Sequence, residues 1–302
     1  YRLRPVNQDE IALTLKLIAR NSPPLQQAIL RHMSTYLEPL KWQKAVQSLK
    51  KVFASEYGDN VPQEIAEQLQ RLENTTDIAV NNTDEEYHSD IEGDSLKWLD
   101  ALMAGDTSFY YSNREDIEHA AYLDDEAYHF LYFVSVQYFR TKAMRDRWVS
   151  NFRSTMQYPG LEQLGISVEN IDPENMAAHL FWVFQGLMAF NLRKRDVPLS
   201  LLLNETDLPF VTSDQPIINL KADYQKLDEM AEDLIFYYPI SPHTAIILND
   251  HMLPRKVRLA ENQVEIYNTA LIRASHESVF ANSQDLLTHY QDVFPDTAPK
   301  QS

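Results

Sequence analysis

The chain has 302 residues, 44% of them hydrophobic and 11% aromatic, enough to bury a substantial core in one large domain or two modest ones. It has no cysteine and a net charge of −17, which removes disulfides, thiolate nucleophiles and cysteine-held metal clusters and disfavours non-specific nucleic-acid binding. With six glycines and no G-x-G-x-x-G or G-x-x-x-x-G-K-[ST] string, the two common phosphate-cradling loops lack support. No run of about 18 apolar residues occurs, and the absence of cysteine suits a reducing compartment, so the chain reads as cytoplasmic with no membrane span. It opens on Tyr1-Arg2-Leu3-Arg4-Pro5, neither an initiator Met nor a signal peptide, so the N-terminus reads as trimmed.

The first two-thirds have helical periodicity. Ile11, Leu13, Leu15, Leu17 and Ile18 form an apolar stretch stopped by Asn21-Ser22-Pro23-Pro24. Leu25, Ile29, Met33, Tyr36, Leu40, Val46, Leu49 and Phe53 continue at near-helical spacing, with a break predicted at Pro39. Pro62 is placed to open a helix through Ile65, Leu69 and Leu72. Asn74 to Asp94 is rich in Asn, Thr and acids and reads as a mobile loop. Helix resumes over Ser95 to Met103, and Ser112 with Glu115 forms a capping-box pattern. The longest helical pattern runs from Glu126 to Phe152, and another from Pro173 to Arg195.

Charge is unevenly spread along these helices. Asp84 to Glu126 holds fourteen Asp or Glu residues against Lys97 and Arg114, a local −12. Directly after it, Arg140, Lys142, Arg145, Arg147 and Arg153 face only Asp146, a local +4. An ordinary solvated acidic face is the plainer account of the first block.

The period changes near Pro198. Residues 199–204, 210–213, 217–220, 234–240 and 244–248 read as short strands broken by Pro, Asn and Asp, and 278–281 as a further one. Helix returns after Glu261. The expectation is a single α+β domain over 1–302. Its mainly helical part, 1–197, packs on a small antiparallel sheet in a strand-rich part, 198–302, that ends in C-terminal helices.

Two strings stand out, Pro209-Phe210-Val211-Thr212-Ser213-Asp214-Gln215-Pro216 and Tyr238-Pro239-Ile240-Ser241-Pro242. With Asn268, Val279 to Ser283 and the helical string Gln137-Tyr138-Phe139-Arg140-Thr141, they resemble the bacterial and fungal domain of unknown function 4238 family. The family's opening His-Tyr-Val-Pro-Gln-type motif is absent here, so no N-terminal histidine role carries over. The resemblance spans roughly half the chain and implies membership, not a reaction.

Asp214 is the first candidate for chemistry. Beside Thr212 and Ser213 at a strand end it suits a metal ligand or general base, or else an Asx-turn bonding backbone amides. Gln137 and Arg140, three apart, share a helical face, and Arg140 suits a phosphate, a substrate carboxylate or Asp214 itself. Ser241 is a second turn hydroxyl. His88 lies among acids without metal-ligand spacing, and His119, His129 and His276 read as ordinary histidines. Tyr128, Tyr132, Tyr138 and Phe139 followed by Arg145, Arg147 and Trp148 suit base stacking, with core packing the plainer account.

Two functions remain. One is a polar site for a phosphate-bearing ligand, as in a nuclease-like hydrolase, formed by Asp214, Arg140, Gln137 and Ser241, with the metal and any cofactor unspecified. The other is a non-catalytic interaction protein, of the kind found in bacterial defence or toxin-type systems, whose acidic helical face holds a basic protein partner.

Overall fold

The fold is that of a computed structural model, which describes residues 7–19, 23, 26–27, 30, 38–58, 60–111, 125–155, 168–224, 233–249 and 253–294. The helices are α1 (Gln8–Ile18), α2 (Glu38–Tyr57), α3 (Gln63–Met103), α4 (Ser108–Tyr111), α5 (Glu126–Phe139), α6 (Lys142–Thr155), α7 (Pro173–Lys194), α8 (Glu261–Ala274) and α9 (Gln284–His289). The strands are β1 (Leu199–Asn204), β2 (Thr212–Ser213), β3 (Ile218–Asn219), β4 (Phe236–Ser241), β5 (Thr244–Leu248), β6 (Lys256–Leu259) and β7 (Val279–Phe280). Helices dominate and the class is α+β. The chain groups into two compact units, Tyr1–Asp94 with Tyr158–Val183, and Ser95–Gln157 with Phe184–Ser302. Their boundary does not follow the change of period at 198, because the helices of 95–157 belong with the strands.

In the first unit, Asn7 caps α1 through a capping box with Glu10. The same Glu10 carboxylate accepts from the Asp172 amide at 3.3 Å and from Asn175 Nδ2 at 3.5 Å, tying α1 to the start of α7. Helices α2 and α3 run antiparallel, as the Gln43–Asp77 and Lys50–Glu73 pairs require.

The loop expected over 74–94 is instead helix, since α3 runs unbroken from Gln63 to Met103. Asn, Thr and Asp lower helix propensity by only a few tenths of a kcal/mol each, and no proline interrupts the stretch. Thr75 and Thr76 return their hydroxyls to the carbonyls of Arg71 and Leu72, while Leu69, Thr76 and Val80 make a buried stripe.

The second unit holds a five-stranded sheet in the order β3-β4-β5-β1-β6. It is mixed rather than antiparallel as expected, because β6 runs parallel to β1, with Leu202 opposite Val257. The sequence hides β6, since Lys256 and Arg258 point charge outward from an edge strand. Helices cover both faces, which explains the near-continuous apolar runs of β1 and β5. Along β4 the alternation is explicit. Phe236 meets Tyr138 of α5 at 4.9 Å between ring centroids, Tyr237 stacks on Tyr267 of α8 at 4.8 Å, and Tyr238 turns back to Phe133 of α5.

Helix α5 is buried almost all round. The single helix predicted over 126–152 is two, broken at Arg140 and Thr141, where the Thr141 hydroxyl leaves the helix to bond Gln215. Asp125 caps α5 through the Ala127 amide at 2.9 Å and forms a buried ion pair with Arg193 of α7. Tyr110 and Tyr111 of α4 hold the entry to β1 through Val197 and Leu199.

Two outcomes follow. Asp125→Ala removes a helix cap and the buried partner of Arg193, leaving that guanidinium only the exposed Asp196 at 3.4 Å, so chemical denaturation should report a loss of about 3–5 kcal/mol. Burial pushes the Tyr128 phenol up to about 12 and raises Tyr138, Tyr224 and Tyr237 as well. The fold therefore favours the neutral phenols. Their contribution is complete below the ordinary phenol value of about 10 and is lost as pH rises from there towards 12. Circular dichroism and phenolate absorbance should change together in that window.

Candidate functional site

The three C-terminal motif strings meet around the two-residue ladder β2–β7, in which Thr212 pairs with Phe280 and Ser213 with Val279. At one end of the ladder is a cleft of about 230 Å³ lined by Phe210, Thr212, Ser241, Pro242, Phe280 and Asn282. It is apolar with a few hydroxyl and amide groups, and Phe280 is 55% exposed. The Phe210 amide donates to the Pro242 carbonyl at 2.9 Å, closing one string against the other. Ser241 Oγ accepts from the His243 amide at 3.2 Å, which tightens the β4–β5 turn.

At the other end lies Asp214. Its amide donates to the Ser278 carbonyl at 3.0 Å. Its carboxylate accepts from the amides of His276 at 2.9 Å, Glu277 at 2.6 Å and Ser278 at 3.2 Å. Asp214 therefore clamps the loop that follows α8, and the amides it bonds are across the ladder rather than in its own turn.

That clamp presents side chains to the first turn of α6. Glu277 pairs with Lys142, lowering the Glu277 carboxyl and raising the Lys142 amine from their ordinary values. His276 Nε2 stands 3.7 Å from Glu277 and 3.9 Å from Asp146, and Arg145 is 3.5 Å from Asp146. An extended chain rises about 3.4 Å per residue, so Glu277, three residues from Phe280, sets this charged cluster roughly 10 Å along the strand from the cleft.

The remaining polar motif residues are structural ties. Gln215, 0% exposed, accepts from Thr141 and donates from Nε2 to the Ile217 carbonyl at 2.9 Å, while its own amide bonds Ser213 Oγ at 3.1 Å. Asn268 accepts from the Val211 amide at 3.1 Å and donates to the Pro209 carbonyl at 2.8 Å and to Tyr290 at 3.0 Å.

The predicted candidates are thus partly assembled. Ser241 and Thr212 share the cleft, and Asp214 stands behind the charged cluster. Gln137 is buried in α5, and Arg140 is the exposed C-cap of that helix. The expected Arg140–Asp214 bridge is not formed, since backbone amides occupy the carboxylate. Lys142 and Asp146 figured in the sequence only within the basic block and Glu277 not at all, and no local pattern marks a pairing that spans 135 residues.

Tyr138 packs in the core against Phe236, and Arg147 donates to the Asp223 carbonyl at 2.5 Å, so these two members of the aromatic and basic run are built into the fold. His88 lies within α3, and among the described residues no group of three or more His, Asp or Glu is arranged to hold a metal ion. Ser112, Glu115, Asp116, Glu118 and His119 lie outside the described residues, as do Asn21, Ser22, Leu25, Ile29, Met33 and Tyr36. No helix among the described residues is long and apolar enough to cross a membrane.

A family described as Protein of unknown function (DUF4238) matches residues 85–285, which include the ladder, the cleft and the Asp214 clamp. The chain belongs to the DUF4238 family. Every motif segment around this DUF4238 site lies inside the matched span. No curated protein and no solved structure matches the chain.

Asp214→Ala should cost about 1–3 kcal/mol by removing the acceptor for three amides, read by thermal or chemical denaturation. Asp214→Asn keeps one carbonyl acceptor and should fall between that variant and wild type.

Proposed function

We propose that this DUF4238 protein binds a small ligand with an apolar body and a phosphate group. The body sits in the Phe210–Phe280 cleft, and the phosphate meets Lys142 and Arg145 with His276 beside them. One observation carries the reading: the family's motif strings converge on a single ladder with an apolar cleft at one end and a charged cluster at the other. Pockets of this kind, largely apolar with a few converging polar groups, are where small ligands bind.

The arrangement favours binding over hydrolysis at Asp214. A carboxylate already accepting three amide protons is a poor general base, and its role here is to position His276 and Glu277. Ser241 contributes cleft polarity, and among the described residues no base is hydrogen-bonded to its hydroxyl that would make it a nucleophile. Lys142 and Glu277 are both more than half exposed, so their pairing adds little to stability, and an anion can displace the carboxylate.

Calorimetric titration and thermal shift with inorganic phosphate, sugar phosphates and nucleoside monophosphates test the reading. The expected result is a rise in melting temperature with one ligand class, reduced in Lys142→Glu and in Phe280→Asp. Loss in both variants ties the two ends to one ligand. Absence of any shift, or a shift that neither substitution alters, rejects the site.

A further inference from the structure

Helix α2 turns Leu40, Gln43 and Val46 inward and leaves a second apolar face outside. Trp42, Leu49 and Val52 are 55%, 45% and 58% exposed, and exposed Ala45 lies between the first two. Positions 42, 45, 49 and 52 follow the three-four spacing of a helix seam made to meet another helix. Exposed Lys41, Lys44 and Lys51 follow one flank of that seam.

A matching face lies on α3. Leu96 is 60% exposed and Met103 is 49% exposed, seven residues apart as Trp42 and Leu49 are. At 1.5 Å per residue each pair of anchors is about 10.5 Å apart. Exposed Glu92 and Asp100 share the line of Leu96 and Met103, and exposed Lys97, to one side of it, pairs with Glu126 at 2.8 Å. One face is apolar with a basic flank, and the other is apolar with Glu92 and Asp100 along its line.

We propose that these two faces form a self-association interface, with α2 of one molecule lying against residues 89–103 of α3 in a second copy. Charge selects this pairing over α2 against α2, which would align lysines with lysines. The net charge of −17 opposes an anionic membrane as the occupant. The matched anchor spacing and opposite charge of the two faces favour a second copy of this chain. The inference is independent of the ligand site, because none of its residues lines the cleft or the charged cluster.

Sedimentation velocity of the full chain across a concentration series tests it, at low ionic strength and at about 1 M salt, where the Debye length is about 3 Å. Wild type should form species heavier than the 35.1 kDa monomer, with assembly weakened by salt. Trp42→Glu, at an exposed position, should weaken association roughly tenfold or more through loss of an aromatic anchor. The Lys41→Glu/Lys44→Glu protein should self-associate weakly but pair with a Glu92→Lys/Asp100→Lys protein when the two are mixed. This charge exchange decides the matter if Trp42→Glu fails to fold by circular dichroism. A monomer at every concentration overturns the proposal, as does assembly unaffected by Trp42→Glu in a folded protein, or failure of the mixed charge variants to pair.

Discussion

Between Asn204 and Phe236 the described backbone crosses the second unit with only β2 and β3 as regular strand, yet much of it is buried. Buried amides without partners cost about 1–3 kcal/mol each, so this segment depends on side chains to complete its hydrogen bonds. Asn219 accepts from the amides of Lys221 and Ile235 and donates to the Asp233 carbonyl. Gln215 and Asn268 do the same for the stretch from Pro209 to Ile217. Three carboxamides stand in for missing sheet, and the positions of the cleft and the clamp follow from them.

The same substitution of side chain for sheet explains why the strings around Asp214 look catalytic in sequence. Thr, Ser, Asp, Gln and Asn at strand ends are the residue types of sites and also of backbone ties, and spacing alone does not separate the two uses. Partners do. Asp214 serves three amides of a loop sixty residues away, and Gln215 serves a helix junction that the sequence reads as continuous helix. What the strings then position are side chains outside them, Lys142 and Asp146 on α6 and His276 and Glu277 after α8.

The fold class was readable because its signals are local. Short, near-continuous apolar runs bounded by turn residues locate β1 and β5, and proline and apolar stripes locate α2 and α7. The misreadings arise where tertiary packing outweighs local preference. Asn and Thr within α3 are held by back-bonded hydroxyls and a buried stripe. The charged edge strand β6 is recognisable as a strand only beside β1. The α5–α6 break carries no glycine or proline and is set by the bond from Thr141 to Gln215. Within the site, the cleft follows from adjoining motif strings, but the ion-pair cluster needed the third dimension.

The parallel pairing of β1 with β6 bears on how the second unit is synthesised and folds. Leu201 must wait for Lys256, so one flank of this interior apolar strand stays without its neighbour until more than fifty further residues have emerged. Until then β1 exposes a hydrogen-bonding edge in which four of six residues are leucine, the kind of edge that recruits other chains. Nascent or shortened forms that end before Lys256 should thus be more prone to aggregate than the full chain, and the charged β6, last of its sheet to emerge, closes that edge.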